Sequence, residues 1–189
     1  MKILHTSDWH VDKKLRGASR LDEYTAVLDE IAGIAETEDV DMVIVAGDVF
    51  DTKNPTPAAE RLVYATLQRI AALCPVVVIA GNHDNPAKWG AVRNLLDLAN
   101  VTVAAAVVPP DKGGTIRVDT KSGSANIALV PWLGRRAAVK AEDLMDYDRD
   151  ANAEAYRDRI ARIMRALASK FVEGEVNLMT AHLLSLIHI

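Results

Sequence analysis

A single cysteine, Cys74, stands in the 189 residues. An internal disulfide is thereby excluded, and the usage fits a reducing compartment. Long apolar runs are also missing. The greasiest stretch, near residues 101–110, falls well short of the roughly 20 residues that a membrane span requires. The opening residues Met1-Lys2-Ile3-Leu4-His5-Thr6-Ser7-Asp8 contain no apolar signal core and no cleavage site, so no secretion signal and a cytoplasmic location are expected. Positive charge is not in excess: 22 Lys and Arg face 26 Asp and Glu, a formal charge of −4. On its face this balance counts against a nucleic-acid partner, whose usual footprint is basic. No internal repeat and no low-complexity tract occurs. What is present is apolar material, 50% of the chain, which excludes disorder and suffices for one domain with a substantial core.

Short β-branched runs alternate with helical patterns. Ile3–Thr6 reads as a strand, followed by Leu21, Tyr24, Val27, Leu28, Ile31 and Ile34 at helical spacing. Met42–Ala46 has no polar residue and reads as a strand buried on both faces. Thr56-Pro57 then opens a helix to about Leu73, with threonine as cap and proline in the first turn. Residues 76–80 form a third strand, 89–98 a short helix and 101–108 a fourth strand. This βαβαβ succession predicts a mainly parallel sheet covered by helices. After Pro109-Pro110 the character changes. Residues 115–118 and 126–130 read as a hairpin joined by 119–125, residues 151–171 as a long amphipathic helix, and Val176–Ala181 as a last strand.

Polar clusters follow the first three strands directly: Asp8-Trp9-His10, then Gly47-Asp48-Val49-Phe50-Asp51, then Gly81-Asn82-His83-Asp84. Thirty-eight residues separate His10 from Asp48 and thirty-four separate Asp48 from Asn82, each about one βαβ unit. The clusters should converge at the carboxyl ends of the strands, where open α/β sheets place their ligands. His182 arrives at the end of the last strand in the same way. Carboxylate, amide oxygen and imidazole together suit Mn²⁺, Fe²⁺ or Zn²⁺ better than Ca²⁺. Without a nearby cysteine, a structural zinc site is disfavoured. Gly-x-Gly-x-x-Gly does not follow the first strand, which excludes a dinucleotide-binding fold. Trp9 should pack beneath the site, Asp84 should be a supporting or turn residue, and His5 a satisfied histidine of the core or sheet face.

Asp-x-His, Gly-Asp-x-x-Asp, Gly-Asn-His-Asp and a later strand-end histidine together resemble the calcineurin-like metallophosphoesterases. Residues 4–10, 46–51 and Pro131-Trp132-Leu133 further resemble the branch that forms the nuclease component of bacterial double-strand-break repair complexes. The resemblance runs from residue 1 to about 183. It implies an α/β fold, a layered β-sandwich with flanking helices, and a site for two divalent ions, foremost Mn²⁺. Carried over by position, Asp8 and His10 hold one ion, Asn82 and His182 the other, and Asp48 bridges them. His83 becomes the acid that assists the leaving oxygen. Asp51 either orients the His83 imidazole or sits in a buried turn. The implied activity is metal-dependent DNA phosphodiester hydrolysis in repair and recombination, with an ATPase partner and a homodimeric whole. Lys13, Lys14, Arg16 and Arg20, then Arg135 and Arg136, are the candidate DNA contacts, set against a reading as solvated surface charge.

The sequence also departs from the family. Thr52-Lys53-Asn54-Pro55 follows the second cluster where the protein phosphatases carry an arginine, which disfavours that branch. The family's further His-x-His is not found after His182. Residues 184–189 read as a non-native tail resembling translated adapter sequence, so the domain is expected to be incomplete after residue 183 and impaired in metal binding. A small-substrate phosphodiesterase and a non-catalytic scaffolding fragment are the alternative readings.

Overall fold

The computed structural model describes residues 1–134 and 156–183. Seven strands and four helices occur among them: β1 Ile3–Thr6, α1 Leu21–Thr37, β2 Met42–Ala46, α2 Pro57–Ala71, β3 Val76–Ile79, α3 Pro86–Leu98, β4 Val101–Ala104, β5 Thr115–Thr120, β6 Gly123–Val130, α4 Tyr156–Ala168 and β7 Val176–Ala181. A short 3₁₀ turn covers Pro110–Lys112.

β1 to β4 form one parallel sheet in chain order. Each crossover steps one strand in the same direction, so crossovers of one hand lay every helix on the same face. Leu28 and Ala32 of α1, Val63, Leu67 and Ile70 of α2, and Trp89 of α3 accordingly share one core with Val43, Val45, Val76 and Val78. The alternate strand residues Met42, Ile44, Val77 and Ile79 point to the other face. There they meet Val118, Ala125, Ile127 and Leu129 of a second sheet. That sheet runs β5-β6-β7, with β5 antiparallel and β7 parallel to β6. Its outer face is covered by Ile160, Ile163 and Leu167 of α4. Helices, sheet, sheet and helix thus stack in four layers, the sandwich that the resemblance implied.

Local signals explain most boundaries. Thr56 caps α2 ahead of Pro57, and its Oγ1 accepts from the Ala59 amide. Asn85 does the same for α3, accepting from Ala87 at 3.1 Å ahead of Pro86. That cap places the start of α3 three residues before the expected Trp89. β4 ends at Ala104 rather than residue 108 because the chain leaves the first sheet there. Val107 instead fills the core beneath α4. The β5–β6 connection is tighter than expected, with Thr120 pairing Gly123 across Lys121-Ser122. α4 ends at Ala168 instead of residue 171, and Phe171 still packs against the same core. Residues 151–155 lie outside the described residues. No helix among the described residues is long and apolar enough to cross a membrane.

Ile127 is fully buried between the sheets. Ile127→Ala should lower unfolding free energy by about 2–5 kcal/mol. Leu98→Ser, at a position 87% exposed, should stay within about 0.5 kcal/mol of wild type in the same urea titration.

Candidate metal centre

The loops after β1 and β2 continue the parallel ladder beyond the strands. The Asp8 amide donates to Gly47 O at 2.9 Å, His10 to Asp48 O at 2.9 Å, and Val11 to Val49 O at 3.0 Å. Within this zipper Asp8, His10 and Asp48 all have left-handed backbone, with φ of 56°, 46° and 53°. Such conformations cost of order 1–3 kcal/mol each and persist only where neighbours enforce them. Aspartate and histidine tolerate them better than most side chains. They aim the three side chains at one point above the strand ends.

Asp48 sits at the centre of that point and is almost fully buried. Its Oδ1 accepts the His83 amide at 2.9 Å. Its Oδ2 lies 3.5 Å from His10 Nε2 and 3.6 Å from His182 Nε2. Asp8 Oδ1 approaches the same His10 nitrogen at 3.7 Å, and Asn82 Oδ1 approaches His182 Nε2 at 3.2 Å. The sequence-predicted ligands Asp8, His10, Asp48, Asn82 and His182 are therefore all brought together. Ligand atoms of Asp8, Asp48 and His182 lie within 4.8 Å of one another, as do those of His10, Asp48 and His83. Asp8 and His182 thus meet at one centre, although they come from different sheets and opposite ends of the chain.

Two glycines make the approach possible. At Gly47 a Cβ would meet the His182 ring, and at Gly81 it would meet the Asp48 carboxylate and amide. Gly47 also has φ of 94°, a conformation in which glycine carries no steric penalty.

Backbone carbonyls fix two imidazoles. His182 Nδ1 donates to Ala46 O at 2.8 Å, and His83 Nδ1 donates to Asp51 O at 2.6 Å, because a carbonyl only accepts. His182 Nε2 thus faces two oxygens, one of them carboxylate, and in the neutral ring it presents its lone pair to them. With that ring neutral, acceptors face acceptors around a buried carboxylate, an arrangement that a cation among them stabilises. The donor set suits a hard-to-borderline divalent ion, so the residues present fit a metal. The indole of Trp132 stands edge-on to His182 with ring centres 6.1 Å apart, and its amide donates to Ala80 O at 2.8 Å. The motif pattern gave that aromatic wall no role.

Asp51 reaches His83 through its main chain. Its carboxylate turns instead to His10, with Oδ1 3.2 Å from Nδ1, and to Lys13 Nζ at 3.9 Å. The His10 and His83 rings meet edge to face at 4.7 Å. Asp84 is 1% exposed and accepts the amides of Val49, Phe50 and Gly81 at 3.3, 3.1 and 2.8 Å. Burial raises its carboxyl above the usual carboxylate range, while those three amides pull it down. The carboxylate ties the second loop to the third, which makes it the supporting residue of the two readings its sequence position allows. Trp9 is buried, its Nε1 donating to Thr6 Oγ1 at 2.9 Å, as expected of a residue packed under the site. His5 is exposed but stands on the inter-sheet face of β1, lining a cavity with Ile3, Ile44 and residues of β7, which is the sheet-face reading and not the core one.

Lys13, Lys14 and Arg16 are exposed on the loop beside the site. Arg20 is engaged, with Nε and Nη2 both donating to Glu23 Oε2 at 2.8 and 2.5 Å. Arg135 and Arg136 lie outside the described residues, as do residues 184–189.

The model of the family described as "Calcineurin-like phosphoesterase" matches residues 1–162. The chain belongs to that family. Curated relatives are named as the SbcD component of the nuclease SbcCD: 34% identity over 97% of this chain in Bacillus subtilis, 41% over 75% in Escherichia coli, and 46% over 76% in Rhodobacter capsulatus. The chain spans 46%, 35% and 34% of those relatives' own lengths.

Asp84→Ala should cost at least about 3 kcal/mol in chemical unfolding, since three buried donors lose their acceptor at about 1–3 kcal/mol each. Asp84→Asn, which keeps one amide oxygen, should lose less. Saturating Mn²⁺ should raise the wild-type melting temperature, with about 2.7 kcal/mol of stabilisation at a hundredfold excess over Kd. Asp48→Asn should show no such rise in the same scan.

Proposed function

We propose that this phosphoesterase domain is the catalytic part of a longer SbcD-type nuclease that hydrolyses DNA phosphodiesters. The observation that carries the reading is the convergence of four side chains, Asp8, His10, Asn82 and His182, around the buried Asp48 carboxylate, with His83 alongside. The relatives named as SbcCD nuclease components supply the substrate class.

Asp8 and His10 would hold one divalent ion, Asn82 and His182 the second, and Asp48 would serve both. Mn²⁺ is the ion we assign. Two such ions supply charge neutralisation on the phosphodiester and a water acidified enough to attack phosphorus at neutral pH. The protein's own residues do the rest. His182 is held by Ala46 O so that Nε2 stays turned into the site. The Asp51 carboxylate lies 3.2 Å from His10 Nδ1, on the side from which carboxylates back ligating histidines. His83 keeps its Nδ1 proton on Asp51 O and gives its Nε2 proton to the departing sugar oxygen.

Lys13, Lys14 and Arg16 border the site and would meet the phosphates on either side of the bond cut. Arg135 and Arg136 are assigned to a second stretch of backbone contact. Two bound dications would offset the formal charge of −4, and positive charge close to the substrate outweighs the total. With an SbcC-type ATPase as partner, and as a homodimer in the cytoplasm, such a nuclease would act in DNA repair, recombination and replication.

The test is turnover of a labelled DNA hairpin and of bis-p-nitrophenyl phosphate with Mn²⁺. His83→Ala should lower kcat on DNA by about 10²–10⁴-fold with KM little changed. The loss should be much smaller on the nitrophenyl ester, because p-nitrophenolate leaves without a proton. Equal losses on both would overturn the acid assignment. Turnover of the ester without any cutting of DNA would favour a small-substrate phosphodiesterase.

A further inference from the structure

Beside the metal centre a cleft of about 250 Å³ opens between the end of β1 and the first turns of α1. Its floor is the buried Leu28, and its wall is Tyr24, Val27 and Ile31. Asp8 and Ser7 form the side toward the metal centre, with Ser7 Oγ donating to Asp8 Oδ2 at 2.5 Å. Asp8 is thus a wall shared by two compartments, its other carboxylate oxygen lying 3.7 Å from His10 Nε2.

Tyr24 and Ile31 pack against the rim of the sandwich core, and Val27 stands outside it. Val27 is 51% exposed, although it lies on the helix face that the sequence pattern marks as inward. The rim is polar and braced: Arg20 lies over the Tyr24 ring at 5.7 Å while its fork is bonded to Glu23. An aromatic ring, an aliphatic wall and a guanidinium–carboxylate rim are complementary to a flat group with apolar faces and polar edges. The volume suits one such group, and the contact through Asp8 puts it one residue from the atoms that would bind the phosphodiester.

We infer that this cleft is a nucleobase subsite, receiving the base of a nucleotide next to the bond cut and stacking it against Tyr24 and Val27. The inference rests on the nuclease reading of the metal centre and adds to it a contact to the base, in a sequence-tolerant mode, since every base has a π-face. It also gives Arg20 a different task from that of the exposed Lys13 and Lys14. Arg20 braces the ring against which the base lies, whereas the lysines face phosphate.

The experiment compares single-stranded oligonucleotides that are intact or that carry one abasic residue, placed in turn on each side of the cleaved bond. Wild-type protein with Mn²⁺ should show a KM about tenfold lower for the intact strand at one of the two positions, as expected for one stacked base. Val27→Asp, at an exposed helical position, should abolish that difference while leaving turnover of bis-p-nitrophenyl phosphate unchanged. Tyr24→Leu, which keeps apolar bulk, should reduce it. A 5-iodouracil at the sensitive position should crosslink to Tyr24, read by mass spectrometry. Intact and abasic strands cut with the same KM by wild type, or a preference that survives Val27→Asp, would overturn the subsite and leave the nuclease reading standing. Hydrolysis of the nitrophenyl ester with neither strand cut would overturn both.

Discussion

The carboxylate of Asp84 is the tie on which the centre depends. It accepts one amide from the third strand-end loop and two from the second, inside the protein and away from water. Without it the Gly-Asp-Val-Phe and Gly-Asn-His-Asp segments would be joined only through His83, by its amide to Asp48 and its ring to Asp51 O. With it, Gly81 comes so close to Asp48 that only a hydrogen fits between them. The His83 amide can then reach Asp48 Oδ1, so the central carboxylate is oriented by main chain before any cation arrives. A buried anion raised by desolvation is a costly fastening, and it is tolerated because three donors converge on it.

The first loop is held differently. Its ladder with the second loop carries strained ligand residues, and the same side chains that would bind metal are among the few that accept left-handed backbone. Two requirements therefore fall on the same positions. At Asp8, His10 and Asp48 a replacement must offer a donor atom and also tolerate positive φ. Asparagine satisfies both partly, and most other residues satisfy neither.

Much of this was legible in the sequence because the relevant residues directly follow strands at βαβ spacing. The positions of Asp8, His10, Asp48 and Asn82 at one sheet edge need only parallel strands in order. His182 was legible for the same reason, at the end of the last strand. What stayed hidden involves backbone atoms and long-range pairing. No residue type announces that Ala46 O will fix the His182 tautomer, or that Asp51 will offer its carbonyl to His83 and its carboxylate to His10. Asp84 was legible as a supporting or turn residue, but its three partners were not, since they lie in two loops that only the tertiary fold brings together. The start of α3 is a different case, since Asn85-Pro86 is a cap signal that periodicity alone passes over.

The bond from His182 to Ala46 spans 136 residues and joins the two sheets. β7 has only β6 as a strand partner among the described residues, whereas the strand that carries Asp48 lies inside its sheet. His182 is therefore mounted at the end of an edge strand, as Asp8 and His10 are at the end of β1, while Asp48 between them is held from both sides and edges open first. If β7 frays, His182 leaves while Asp8, His10 and Asp48 remain zipped together. Of the two ion positions proposed, the one that His182 would hold depends on the second sheet, so its occupancy would report on the integrity of that sheet.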